Sequence, residues 1–184
     1  MSAKEWIKEL QQEREDKDRF FASHPQSPLP LDLRPGFRGL NYFPIDPDYR
    51  FELELSEYSE KETVDIEDTK GNMRNFLEWG EFQFDLHNTS CTLQVYKSDA
   101  GDDSLFIPFR DTTNGEKTYG AGRYLDLYPE HKTKNGMWIL DFNRAYNPWC
   151  AYNPDYACPF VLADNWLKTE IRAGEKEFRP VVVT

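Results

Sequence analysis

Residues 72–95, NMRNFLEWGEFQFDL-HNTS-CTLQV, decide how this chain folds. Phe82, Phe84 and Leu86 alternate with Glu81, Gln83 and Asp85, the two-residue period of a strand with one face in the core. Trp79-Gly80 interrupts the run, and a glycine inside a strand pattern marks a bend or bulge. His87-Asn88-Thr89-Ser90 is a turn cluster, and Cys91, Leu93 and Val95 resume the alternation. The stretch therefore predicts a long bent strand over 72–86 and its antiparallel return.

The same period recurs on both sides. Tyr49, Phe51, Leu53 and Leu55 fall on one face, with Arg50, Glu52 and Glu54 on the other; Val64 and Ile66 repeat it over 63–67. Strands are also expected at Leu105–Phe109, Lys117–Leu127, Met137–Phe142 and Trp166–Ile171. Pro108 requires the first of these to be an edge or a bulge. Thr113-Asn114-Gly115-Glu116 is a hairpin turn. Phe178–Thr184 is an extra edge strand or a loose end. Roughly eight to ten short strands predict a mainly β chain, an antiparallel β-sandwich or barrel.

Two segments depart from this pattern. Residues 1–22 read as a helix: Ser2 is the N-cap, Glu5 completes a capping box, and no Gly or Pro intervenes before Pro25. Its apolar residues sit at the two ends, Trp6, Ile7 and Leu10 and then Phe20 and Phe21, with six charged residues between them at 13–18. Such a helix packs at its ends, as a clasp across the body. Residues 24–47 contain six prolines and cannot be helical, yet Leu29, Leu31, Leu33, Phe37, Leu40, Tyr42 and Phe43 are apolar. They predict an ordered wrap over a β-rich body spanning 49–178. At 184 residues the chain is read as a single domain, 1–184, large enough to bury a core without staples.

Composition narrows the function. Aromatic residues make up 15% against 39% hydrophobic overall, so aromatic burial must carry much of the core. The net charge of −11 opposes nucleic acid and anionic membrane surfaces, so neither is an expected partner. Lys supplies 11 of the 22 basic residues, which weakens a high-salt explanation of the acidity. The opening residues are charged and lack a leader's apolar run, and no stretch of about 18 apolar residues occurs. Three cysteines suit a reducing compartment, and a cytoplasmic location is expected.

Polar side chains that could do chemistry concentrate between Arg123 and Asn165. Gly120 and Gly122 precede Arg123 in a strand context, which excludes a dinucleotide fingerprint and indicates a bulge or a close backbone approach. The Asn147-Pro148, Asn153-Pro154 and Cys158-Pro159 steps stiffen the loop that follows. A pocket here would draw on Arg123, Tyr124, Asp126, Asp141, Asn143, Arg144, Tyr146, Asn147, Cys150, Cys158 and Asn165. Arg123 or Arg144 would grip an anionic or polar metabolite. The competing reading makes the same residues a buried network that satisfies loop backbone. Two further alternatives stand: a hydrolase using Asp126 or Asp141 as base or Cys150 as nucleophile, and an interaction module recruiting a partner along an edge strand. Cys150 and Cys158 have no zinc or redox-motif spacing and are read as packed thiols, a disulfide closing a short loop, or metal ligands or a nucleophile. No metal site and no particular cofactor are indicated.

The runs Leu105–Asp111, Thr118–Asp126 and Asp141–Pro148, with Cys150-Ala151-Tyr152, Cys158-Pro159, Asn165-Trp166-Leu167 and Ala173-Gly174-Glu175, resemble the DUF1684 family of bacterial and archaeal proteins. Ser27-Pro28-Leu29 and Gly39–Pro44 are similar to that family's N-terminal half. The resemblance spans residues 14–178. It implies a family without an assigned reaction, and so adds no activity to the reading above.

Overall fold

The hairpin over 72–95 is the centre of the molecule. The computed structural model describes residues 2–179, and its strands, in chain order, are β1 (Arg50–Leu53), β2 (Ser56–Glu57), β3 (Thr63–Glu67), β4 (Met73–Leu86), β5 (Thr89–Lys97), β6 (Leu105–Phe109), β7 (Arg123–Leu127) and β8 (Trp138–Asp141). β4 and β5 pair antiparallel from Leu86↔Thr89 to Leu77↔Lys97, with a register shift between Glu78 and Gly80 where Trp79-Gly80 was expected to bend the strand. His87 and Asn88 both take positive φ, 50° and 59°, the backbone of a tight hairpin turn whose twist matches that of the strands.

A six-stranded sheet grows from this hairpin in the order β2-β4-β5-β6-β7, with β3 also paired to β4; β1 and β8 form a separate antiparallel pair. The protein is thus mainly β with antiparallel sheets, and the larger sheet is open, its end strands β2 and β7 unpaired with one another. The main apolar cluster draws Phe82, Phe84, Leu93 and Val95 from the hairpin, Ile107, Phe109 and Leu125 from β6 and β7, and Leu140 and Phe142 from the second pair. The two sheets therefore share one core, and alternation on each strand supplies its inner face.

Gly80 sits where no side chain fits. A Cβ there would lie 2.5 Å from the Ser56 carbonyl oxygen and 2.9 Å from Glu57 Cα, so β2 can pair only because residue 80 has none. Gly80→Ala should cost about 1–3 kcal/mol in urea unfolding and strip β2 amides of exchange protection. An unchanged midpoint would show that β2 contributes nothing.

Three strand expectations are corrected. Only Arg123–Leu127 of the 117–127 run is strand, because Asp111 and Asn114 fold the preceding residues into a turn: Asp111 Oδ1 accepts from the Thr113 N–H at 2.8 Å and Asn114 Nδ2 donates to the Tyr119 carbonyl at 2.8 Å. Residues 166–171 make a single parallel bridge, Arg110↔Trp166, and no ladder; the Ile171 carbonyl is taken by the Arg123 side chain instead. Pro108 lies on an interior strand, not an edge, and the register between β5 and β6 is a single pair, Tyr96↔Phe106. Beside the gap stands Asn165, donating to the Gln94 and Pro108 carbonyls at 2.9 and 2.7 Å and accepting from the Gln94 N–H at 2.7 Å. It supplies with a side chain the rung that proline cannot. In the extra strand or loose end expected over 178–184, residues 180–184 lie outside the described ones.

The helix α1 (Ala3–Ser23) begins at Ser2 with the expected capping box. Trp6, Leu10 and Phe21 are its buried residues, so it does pack by its two ends. The proline-rich wrap is ordered by hydrogen bonds: Phe43 N–H donates to the Gly174 carbonyl and Lys176 N–H to the Asn41 carbonyl, fixing the wrap to the 173–176 segment.

Candidate functional site

A helix whose apolar anchors sit at its ends leaves a polar space beneath its middle. That space is a cleft of about 340 Å³ between α1 and the far end of β7. The helix contributes Leu10 from its apolar end and Glu13, Arg14 and Lys17 from the charged run. Opposite stand Asp126, Tyr128 and His131, with Asn143, Arg144 and Tyr146 from the loop after β8, and Tyr42 and Glu175 along the side.

Alternation on β7 determines which residues reach the cleft. Arg123, Leu125 and Leu127 face the core, so Tyr124 and Asp126 face outward. Asp126 Oδ2 accepts from the Tyr146 hydroxyl at 2.5 Å, its one hydrogen-bond partner among the described residues. Burial raises the Asp126 carboxyl above its ordinary value of 3.8, against the lowering effect of that hydrogen bond. In the unfolded chain the carboxyl ionises first, so stability is fully present below the unfolded value and falls as the pH rises through the folded one. Asp126→Asn removes that loss. Its midpoint relative to wild type should rise between about pH 3 and pH 7 in thermal unfolding; a difference independent of pH would deny the raised carboxyl.

The cations around the cleft are unequally committed. Arg144 pairs with Glu9, Glu13 and Asp141 at 2.8–2.9 Å, three carboxylates for one guanidinium. Lys17 is bound to Glu175, a buried carboxylate that also accepts from the Asn147 N–H at 2.7 Å and the Tyr152 hydroxyl at 2.5 Å. Arg14 donates to the Phe43 and Asn143 carbonyls at 3.0 and 3.3 Å, stacks on Tyr42 at 4.3 Å, and has no carboxylate partner among the described residues. Burial followed by the nearby Arg144 charge lowers the His131 pKa, and its Nδ1 accepts from the Tyr128 N–H at 3.0 Å, which fits a neutral ring.

Of the eleven residues singled out from the sequence, Asp126, Asn143, Arg144 and Tyr146 line the cleft. Asp141 lies behind it: Oδ2 takes the Trp6 indole N–H at 2.7 Å and Arg144 at 2.9 Å, while Oδ1 takes the Asn143 main-chain and side-chain N–H groups. Asn147 donates to the Lys176 carbonyl, Tyr124 to the Pro159 carbonyl, and Asn165 is the rung described above. Arg123 is fully buried, paired with Asp111 at 2.8 Å and donating to the Ile171, Ala173 and Glu175 carbonyls. For these residues the network reading describes the contacts made. Cys150 and Cys158 are free thiols in a separate cluster with Tyr124 and Tyr146. Glu13, Arg14, Lys17, Tyr42, Tyr128, His131 and Glu175 were not singled out; the polar middle of α1 was the available signal for the first three.

An antiparallel β protein clasped by an N-terminal helix, with a polar cleft under the clasp, is the class these features define. The chain belongs to the family described as Protein of unknown function (DUF1684), whose model matches residues 35–176. It is also similar to an uncharacterized protein of Haloarcula marismortui known from a solution NMR structure, at 40% identity and TM-score 0.73 over 94% of this chain and 95% of that one. No curated protein matches. Among the described residues no helix is long and apolar enough to cross a membrane.

Proposed function

We propose that this protein binds a small polar metabolite in the cleft under α1. One observation carries the reading: a concave site holds a half-buried carboxylate, Asp126, and a guanidinium, Arg14, that no ion pair among the described residues consumes. Buried charges are ordinarily paired, and a ligand offering a donor to Asp126 and an acceptor near Arg14 would complete both. An anion gripped by Arg123 or Arg144 fits less well, because the first is sealed in the core and the second already faces three carboxylates. A zwitterionic or neutral polyfunctional ligand fits better, in the reducing cytoplasmic setting that the composition favours.

The test is a thermal-shift and titration screen of polar metabolites on wild type and Asp126→Asn. The expected result is a stabilising compound whose affinity falls at least about tenfold in the variant, the loss of one charge-assisted hydrogen bond. A panel without any stabilising member, or a hit that Asp126→Asn leaves intact, refutes the reading.

A catalytic reading has one supporting feature. The carboxyl of Asp126 is raised by burial and hydrogen-bonded to Tyr146, as general acid–base groups often are. Asp126 is the better candidate base than Asp141, whose two oxygens are taken by Trp6, Arg144 and Asn143.

A further inference from the structure

We propose that Cys150 and Cys158 form an oxidant-responsive dithiol that closes to a reversible disulfide without rearrangement of the fold. The two residues lie eight positions apart, and the turn between them brings them together. The Tyr152 and Asn153 N–H groups both donate to the Trp149 carbonyl, at 3.0 and 3.1 Å, and Tyr156 N–H donates to the Asn153 carbonyl at 3.2 Å. The chain therefore doubles back, and the Cys150 main-chain N–H donates to Cys158 Sγ at 3.3 Å. That contact, and the shared cluster with Tyr124 and Tyr146, puts the two side chains in one neighbourhood, where a rotation of the Cys150 side chain is what a disulfide would require.

The surroundings fix and polarise the pair. Cys158 is held at both backbone atoms by Thr69: its N–H donates to Thr69 Oγ1 at 3.1 Å and its carbonyl accepts from Thr69 N–H at 3.0 Å. Arg74 donates to the carbonyl of the preceding residue, Ala157, at 2.9 Å, so its positive charge acts on the Cys158 thiol from the neighbouring residue. The Tyr119 hydroxyl lies 3.7 Å from Cys150 Sγ. A hydrogen bond from the Cys150 thiol, helped by the Cys150 main-chain N–H and the Arg74 charge, lowers the Cys158 thiol pKa against the opposing effect of burial; the same thiol–thiol contact, with burial, raises that of Cys150. One sulfur is thus prepared as attacking thiolate and the other as its proton-bearing partner. Cys91 makes no such contact; burial pushes its pKa up, and it remains a core thiol.

With hydrogen peroxide as oxidant, the Cys158 thiolate attacks one peroxide oxygen. An S–O bond forms, the O–O bond breaks, and hydroxide leaves to become water. Cys150 sulfur then attacks Cys158 sulfur: the S–S bond forms, the S–O bond breaks, and a second water departs with the Cys150 proton. The sulfur pair loses two electrons and the peroxide gains them. A dithiol reductant reverses the change. The pair shares the outer face of β7 with the cleft, and Tyr146 packs against the thiol cluster on one side and lines the cleft on the other. The proposal does not depend on the cleft holding a ligand.

The test treats the intact reduced chain with a small excess of hydrogen peroxide, alkylates the remaining thiols, and maps the digest by mass spectrometry. The expected product is an intramolecular Cys150–Cys158 crosslink that dithiothreitol abolishes, with Cys91 alkylated. In Cys150→Ser, Cys158 should stop at the sulfenic acid and be captured by dimedone. Full alkylation of both cysteines after peroxide, or a disulfide to Cys91 or to a second chain, overturns the proposal.

Discussion

Arg123→Met should lower the unfolding free energy by about 3–5 kcal/mol, the loss typical when one partner of a buried ion pair is removed. Against a total of roughly 5–15 kcal/mol for a domain, that brings the protein close to unfolding at room temperature. Arg123 and Asp111 both have fully buried side chains, so the substitution leaves the Asp111 carboxylate in the core without its cation. It also leaves the Ile171, Ala173 and Glu175 carbonyls without the donor that holds the 171–175 strap against β7. Replacing Asp111 by asparagine in the same molecule should recover part of the loss, since no orphaned charge then remains and the amide oxygen still accepts from the Thr113 and Ile171 N–H groups. Urea unfolding of the single and double variants measures this. A single-variant loss below about 1 kcal/mol would mean that the pair is solvated. A binding assay on Arg123 variants would therefore report folding, and Asp126 is the residue on which binding should be tested.

Glu175→Ala should cost about 3 kcal/mol and detach the helix before the sheet unfolds. This carboxylate joins three parts of the chain: Lys17 of α1, the Asn147 N–H in the loop after β8, and the Tyr152 hydroxyl beyond it. Its loss leaves a lysine and two buried donors without an acceptor, while Lys17, about a quarter exposed, can still turn to water. The predicted signature is uneven. Amides of α1 should exchange faster by hydrogen–deuterium exchange while β4 and β5 keep their protection. Glu175→Gln, which retains an acceptor for Tyr152 and Asn147, should cost less. Uniform loss of protection across both elements would show that the clasp and the sheet unfold together.

Legibility varied with how local the determining physics is. The β4–β5 hairpin was readable because alternation, the Trp79-Gly80 bend and the His87-Asn88 turn all act within a few residues. So was α1, from its cap and its two apolar ends. The 166–171 segment was read as a strand, yet its partners are Arg110 and the Arg123 guanidinium, far away in the chain, and it forms no ladder. Pro108 correctly signalled a defect in the ladder, but nothing near it in the chain says that Asn165 repairs it.

The site divided along the same line. The polar segment Arg123–Asn165 was visible as a concentration of donors and acceptors, and four of its members do line the cleft. Which member faces a ligand and which is consumed by the protein was invisible, because that depends on pairing with residues far away, Arg123 with Asp111 and the 171–175 carbonyls, Arg144 with Glu9 and Glu13.

By itself, then, the amino-acid order determined the mainly β class, the capped helix, the ordered proline-rich wrap and the family, since each follows from periodicity, backbone restriction or a run of neighbouring side chains. The tertiary structure alone decided that the polar middle of α1 roofs a cleft, that Asp126 and Arg14 have no ion-pair partner there among the described residues, and that two cysteines lie together beside it. Whether a charge is buried, and what pairs with it, is settled by packing between elements distant in the chain, which no local pattern encodes.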